Sequence, residues 1–176
     1  MDTPILETER LILRPIGLAD AQIIFDNWTS DPDVARYMAY STHESVETTR
    51  MWLREVEAAR ALDTHYDWGF VRRSDGMLIG SGGIYYKEQA HMFELGYNLM
   101  KACWHQGYTT EAAREMVRFA VEELGQTRLG CNHVTENVNS GKVMMKVGFR
   151  RVEKRPWVSL DGTKRGECYV YLYEKD

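Results

Sequence analysis

The chain has 176 residues, 44% hydrophobic and 27% charged, with a formal net charge of −4. That length and apolar content predict one domain over residues 1–176 with an ample core, and the charge offers no general attraction to nucleic acid or to an anionic membrane. The apolar runs are too short to span a bilayer, and Met1-Asp2-Thr3-Pro4 is not a basic-then-apolar leader, so a soluble, cytoplasmic protein is expected. Three scattered cysteines, Cys103, Cys131 and Cys168, have neither disulfide nor zinc spacing, and the five histidines form no metal motif. Reduced thiols and no metal are expected.

Glu7 to Pro15 alternates Leu11 and Leu13 with Arg10, Ile12 and Arg14, which predicts a first strand with one buried face, ended by Pro15. Asp20 is placed to cap a helix whose apolar positions Ile23, Ile24, Phe25 and Trp28 run to Asp31-Pro32, where proline forces a break. Residues 33–44 read as irregular. Ser41 or Ser45 can then cap a long helix through Ala61, with Val46, Leu53, Val56 and Ala59 inward. Tyr37, Met38 and Tyr40 between the helices can form a pocket wall or simply pack.

Tyr66–Arg72 and Met77–Tyr86, joined by Ser74-Asp75-Gly76, predict an antiparallel hairpin. Gly80, Gly82 and Gly83 would weaken the second strand unless a bulge or a close backbone approach needs them. His91–Leu99 continues the meander, with Phe93, Leu95, Tyr97 and Leu99 on one face and Met92, Glu94, Gly96 and Asn98 on the other. Glu94 has two readings: a half-buried carboxylate with a raised pKa, suited to general-base work, or an ordinary solvated position on an outer sheet face. Periodicity alone favours the second.

Trp104-His105-Gln106-Gly107-Tyr108-Thr109-Thr110-Glu111-Ala112 is a glycine-containing loop running into an amphipathic helix, with Ala113, Met116, Val117, Ala120 and Leu124 at helical spacing and Gly125 to stop it. A helix N-terminus presents unpaired N–H groups and a positive dipole end, which suits a phosphate or pyrophosphate. Most such loops bind nothing, and neither a Walker nor a dinucleotide fingerprint is present, so backbone amides would do the holding. Arg128–Thr135 follows as a strand. Asn137-Val138-Asn139-Ser140 opens a helix with Val143, Met144 and Val147 inward, Lys142 and Lys146 outward, and Gly148 at its end. Phe149–Val158 and Glu167–Tyr173, separated by the turn residues 160–163, complete the sheet. The result is an α+β fold: a mostly antiparallel sheet of six to seven strands, one central parallel pair, about four helices, and a ligand crevice where strands diverge.

Four segments, Thr8 to Pro15, Phe93 to Tyr97, Trp104 to Ala112, and Asn137 to Ser140 followed by Lys146-Val147-Gly148-Phe149, occur in a distinctive order and spacing. By them the chain resembles, along nearly its whole length, the GNAT superfamily of acetyl-coenzyme A-dependent N-acetyltransferases, most closely the ribosomal-protein alanine N-acetyltransferase branch. The family loop pattern falls on Trp104, Gly107 and Thr109. The resemblance implies that the amides of Trp104, His105, Gln106, Gly107, Tyr108, Thr109 and Thr110 hold the coenzyme pyrophosphate, with the Thr109 hydroxyl able to cap the helix or bond a phosphate oxygen. It implies that the strand ending at Tyr97 and Leu99 splays from Arg128–Thr135 to take the pantetheine arm, that Asn137 bonds that arm, and that N–H groups near Leu99 or Met100 polarise the thioester carbonyl.

The same resemblance makes Glu94 the general base, acting through water. Many members carry a tyrosine where this chain has Met144; Ser140 matches the serine of the ribosomal branch and becomes the candidate acid, although helix capping explains it equally well. Lys142, Lys146, Arg150 and Arg151 meet the 3′-phosphate of the coenzyme or form a solvated helix face. The implied acceptor is a primary amine, on a protein N-terminus or a small molecule, selected by the aromatic stretch from Trp28 to Trp68. A homodimer is common among relatives, and no nucleic-acid or membrane partner is implied. The alternative function is an acyl-coenzyme A-binding regulatory or vestigial module without turnover. Retention of Glu94 and Ser140 argues for the enzyme.

Overall fold

The computed structural model describes residues 2–175; Met1 and Asp176, the ends of the expected domain, lie outside the described residues. In chain order the main elements are β1 (Leu6–Glu7), β2 (Leu11–Pro15), α1 (Ala21–Ile24), α2 (Pro32–Ala35), α3 (Val46–Ala59), β3 (His65–Arg72), β4 (Leu78–Lys87), β5 (Met92–Leu99), α4 (Tyr108–Glu122), β6 (Arg128–Val134), α5 (Val138–Val147), β7 (Arg150–Val158) and β8 (Arg165–Glu174). The strands form one sheet in the order β1-β2-β3-β4-β5-β6-β8-β7. Among the described residues only β5 and β6 pair in parallel.

Alternation along the strands and the 3.6-residue period of α4 build the main core. Tyr66, Trp68, Phe70, Ile84, Phe93 and Leu95 pack with Met116, Phe119 and Ala120 of α4, and the Phe119 ring stands edge-on to Tyr66 and Trp68 at centroid distances of 5.2 and 5.4 Å. Each such side chain contributes about 1.5–3 kcal/mol by leaving water. A second cluster of Ile16, Ile24, Trp28, Val34, Leu53, Val56 and Leu78 joins α1, α2 and α3 to the sheet.

Several expected elements differ in detail. The first strand is broken, because Thr8–Arg10 turn between β1 and β2, with Thr8 N–H bonded to Leu11 O; this break raises the sheet to eight strands. Leu11 and Leu13 are buried as the alternation requires. Helix α1 is a single turn that widens into a π turn over Phe25–Thr29, which leaves Ile23 exposed while Ile24 and Trp28 are buried. Asp20 precedes α1, but its carboxylate bonds Gly17 N–H and the Arg14 guanidinium instead of an α1 amide. Pro32, expected as a break, starts α2, which runs into the stretch 33–44 expected to be irregular, with Asp31 accepting from Asp33 N–H. Ser45 takes the cap position of α3, which ends at Ala59.

Two features of the sheet prepare a site. A Cβ on Gly83 would lie 2.5 Å from the Tyr85 hydroxyl, so this glycine lets the Tyr85 ring lie down over the sheet. Strands β5 and β6 pair only at Phe93↔Leu129, Glu94↔Gly130 and Leu95↔Cys131. Beyond that point β5 continues to Leu99 and β6 to Val134 without pairing with each other, so the sheet forks. At its margins lie two-residue β1 and the exposed strand β7, which carries Arg150, Arg151, Lys154, Arg155 and Pro156.

Candidate active site

The loop before α4 is a shaped backbone structure. Gly107, at the helix cap position, has φ +84° and His105 has φ +61°; a left-handed non-glycine residue costs about 1–2 kcal/mol and persists only where its surroundings enforce it. Those surroundings come from the start of the chain. The Glu111 carboxylate accepts from Thr8 Oγ1 at 2.6 Å, from Arg10 N–H at 2.7 Å and from Arg10 Nε at 2.7 Å. Arg10 Nη1 also donates to Gln106 O at 2.9 Å, and its guanidinium lies 4.5 Å from the Tyr108 ring centroid. Burial pushes the Glu111 carboxyl up, but the bonds from Thr8 and Arg10 outweigh it and hold the group below the usual carboxylate range. Trp104 Nε1 donates to Leu99 O at 2.8 Å and pins the end of β5 to the loop.

This bracketed loop borders a cavity of about 360 Å³, lined by Leu99, Trp104, His105, Gly107, Tyr108, Thr109 and Thr110 on one side and by Asn137, Ser140, Lys142 and Lys146 on the other. Gln106 does not line it; its side-chain amide folds back to Ala102 O. Cys103 lines it but is not activated, since burial raises its thiol against the opposing pull of Arg72.

A larger cavity of about 570 Å³ lies on the Glu94 face of β5, lined by Glu94, Gly96, Ser81 and Tyr85 of the sheet and by Trp28, Tyr37, Met38, Tyr40, His43, Trp52 and Glu55 from the first third of the chain. Tyr37, Met38 and Tyr40 therefore form a pocket wall. The Glu94 side chain tilts over Gly130, where a Cβ would come within 3.2 Å of its Cγ. Burial holds His43 and His133 below the usual imidazole range, so both are neutral at pH 7. The two cavities share Tyr37, Met38, Tyr97, Asn98, Asn137 and Ser140, just past the fork between β5 and β6.

At that junction the Tyr97 hydroxyl stands 3.1 Å from Ser140 Oγ and 3.2 Å from Ser140 O. Burial raises the Tyr97 phenol well above its ordinary pKa, so it keeps its proton. Asn137 is the residue that caps α5, its Oδ1 accepting from Ser140 N–H at 3.3 Å. The capping explanation of Ser140 is thereby removed. One expectation fails: Met100 N–H donates to Ile79 O at 2.8 Å and is not free to polarise a carbonyl. The arrangement offers amide groups for an anion, a carboxylate for an amine, and two hydroxyls between them.

A family model described as the acetyltransferase (GNAT) domain matches residues 10–150. The chain belongs to the GNAT family. It is 34% identical over 149 residues, covering 84% of each chain, to the Bacillus subtilis protein named uncharacterized N-acetyltransferase YoaA. It is 30% identical over 161 residues to FsC-acetyl coenzyme A-N(2)-transacetylase of Aspergillus fumigatus, covering 85% of this chain and 66% of that one. Its fold matches the ribosomal-protein-S5-alanine acetyltransferase of Vibrio fischeri with a TM-score of 0.83 over 98% of this chain and 97% of the other, at 16% identity.

In this GNAT acetyltransferase the basic cluster divides. Lys142 and Lys146 line the smaller cavity, whereas Arg150 pairs with Glu174 and the Arg151 guanidinium lies 4.5 Å from the Tyr169 ring centroid. Sequence reasoning missed the Glu111 bracket, the contact of Tyr97 with Ser140, and Asn98 at the junction. The Thr8-Glu9-Arg10 segment was the available signal for the first; the other two arise only when α5 closes against β5. No helix among the described residues is long and apolar enough to cross a membrane.

Proposed function

We propose that this acetyltransferase moves an acetyl group from acetyl-coenzyme A directly to a primary amine. The observation that carries the reading is the meeting of two chemically different cavities at Tyr97, Asn98, Asn137 and Ser140. The smaller one fits coenzyme A: the N-terminal amides of α4 suit its pyrophosphate, Lys142 and Lys146 suit a further phosphate, and the β6-facing edge of β5 past Leu95, which β6 leaves unpaired, together with Asn137 suits an amide-bearing arm. Acetyl-coenzyme A supplies an activated thioester there.

The protein's own groups handle protons. Glu94 takes a proton from the acceptor ammonium through a water, freeing the nitrogen lone pair. As the nitrogen–carbon bond forms and the carbon–sulfur bond breaks, Ser140 Oγ donates a proton toward the departing sulfur, and the Tyr97 hydroxyl, 3.1 Å away, hydrogen-bonds the serine oxygen. The attacking nitrogen's second proton passes through solvent to Ser140 and Glu94 releases its own proton to solvent, so both groups return to their starting state, charge balances and no covalent enzyme intermediate is needed.

Release of free thiol across a broad panel of amines and peptide N-termini tests the reading. Glu94→Gln should lower turnover about a hundredfold with coenzyme affinity kept; a variant with normal rates across pH removes Glu94 as the base. Binding of acetyl-coenzyme A without acetylation of any acceptor would instead support a regulatory module.

A further inference from the structure

Among the described residues, three buried side-chain polar atoms lack a hydrogen-bond partner: Trp28 Nε1, Tyr40 OH and Asn98 Oδ1. All three residues line the larger cavity. Leaving a buried polar atom unpaired is costly, and native structures place such atoms where something else completes them. The three are also complementary. Trp28 offers only an N–H, Tyr40 offers an O–H, and Asn98 Oδ1 only accepts, its amide nitrogen being engaged with Ser81 Oγ at 3.2 Å. Asn98 sits at the junction of the two cavities, on the same face of β5 as Glu94, while Trp28 and Tyr40 belong to the wall built by the first third of the chain. A ligand that satisfies all three carries an N–H for Asn98 and an oxygen acceptor for Trp28 and Tyr40.

A second, independent feature concerns size. The turn between β7 and β8 is strapped to residues 35–41. Leu160 N–H donates to Ala39 O at 2.9 Å, and both residues line the cavity, so two of its walls are joined. Asp161 accepts from the Ser41 hydroxyl. The Lys164 ammonium spends its three hydrogens on three backbone carbonyls, those of Ala35 at 3.0 Å, Met38 at 2.7 Å and Tyr40 at 2.7 Å. An N-terminal peptide needs an open trough that lengthens by about 3.3 Å per residue, whereas the strap ties Leu160 to Ala39, both in the wall of this cavity. The cavity volume of about 570 Å³ is that of a small-ligand pocket.

We infer that the acceptor is a small free amine carrying a hydrogen-bond-accepting oxygen, of the amino-alcohol or amino-acid-amide class, and not a protein N-terminus. Trp28 and Tyr40 read the oxygen, Asn98 orients the amine at the junction, and the Lys164 strap sets the size limit. The inference rests on the amine-acetylation reading above.

Thiol release from acetyl-coenzyme A by the full chain tests it with three acceptor sets: amino alcohols and amino-acid amides, alkylamines of matched length, and short unstructured peptides with free N-termini. The polar small amines should exceed the alkylamines at least about tenfold in kcat/KM, as expected when a site built for a hydroxyl or carbonyl meets an analogue lacking it. Peptides should be the poorest set. Tyr40→Phe, which keeps the ring, should cut the polar-to-alkyl ratio severalfold while coenzyme affinity stays the same. Lys164→Met, or the milder Asp161→Asn if that variant fails to fold, should raise the peptide-to-small-amine ratio. Peptides used as well as the polar amines, or a ratio unmoved by Tyr40→Phe, overturn the inference. A strap variant that lowers Tm without changing the ratio overturns the size limit. Turnover of peptides alone rejects the small-amine assignment and leaves acetyl transfer standing, whereas bound acetyl-coenzyme A with no acceptor acetylated rejects both.

Discussion

Glu111 is one carboxylate holding a loop, a strand turn and a helix in a single arrangement. Its three donors come from Thr8 and Arg10, up to 103 residues earlier in the chain. Glu111→Ala leaves those donors unpaired and should cost about 2 kcal/mol of stability in denaturant unfolding. Coenzyme affinity, read by calorimetry, should fall with it. The pH dependence has a definite sign. The folded carboxyl lies below its ordinary value, so its contribution is complete above the model-peptide value of about 4.3 and is lost as pH falls through the lower folded value. Stability and coenzyme affinity should therefore decline together on the acid side, and Glu111→Gln should flatten that limb. The order of motifs singled out Glu94 and Ser140 as candidates, although periodicity alone left Glu94 on an ordinary strand face. Glu111 was not, because local patterns carry no record of a partner so distant.

Secondary structure was legible wherever one period dominates. The alternation of β3, β4 and β5, the helical stripe of α4, and the capped helix α5 all stand close to their expected bounds. Patterns failed where a tertiary contact overrides them: Thr8–Arg10 leave strand geometry to reach Glu111, and α1 widens into a π turn with Trp28 fully buried. Gly80, Gly82 and Gly83 stood out in the second hairpin strand, and the reason is close approach: a Cβ would meet Asn98 O at Gly80, Gly96 O and the Phe70 ring at Gly82, and Tyr66 O and the Tyr85 hydroxyl at Gly83. Helix α4 does double duty, since its first turn borders the smaller cavity and its middle fills the core. Phe119→Ala should cost about 3–5 kcal/mol, checked by thermal or denaturant melting. Because the loop is bracketed separately by Arg10 and Glu111, coenzyme affinity measured well below the melting transition should change much less than stability.

Across the whole molecule the net charge is −4, yet the smaller cavity gathers Lys142, Lys146 and the amino end of α4. Positive charge is thus gathered at this cavity although the chain as a whole is acidic. Replacing Lys142 and Lys146 together with alanine should weaken coenzyme A binding about tenfold at low ionic strength and by less as salt is raised, which titration at two salt concentrations measures. The central parallel pair and a crevice where strands diverge could be anticipated, because one strand-helix-strand crossing implies one parallel pair, whereas the placing of β8 between β6 and β7 could not. How far apart the two strands run, and which side chains fill the gap, depended on packing that no linear pattern encodes.

The margins of the sheet have a consequence of a different kind. A row of unpaired backbone groups invites a foreign strand to add on, and a protein that accumulates in a crowded cell must deny that invitation. Here β1 offers two residues, too few to template a ribbon. At the other margin β7 bears Arg150, Arg151, Lys154 and Arg155, a register irregularity between Arg151 and Glu153, and Pro156, which has no hydrogen to give. A second molecule approaching edge to edge meets repulsion, a kink and a missing bond in turn, so the sheet ends where the chain ends it and stacking into fibrils finds no starting point.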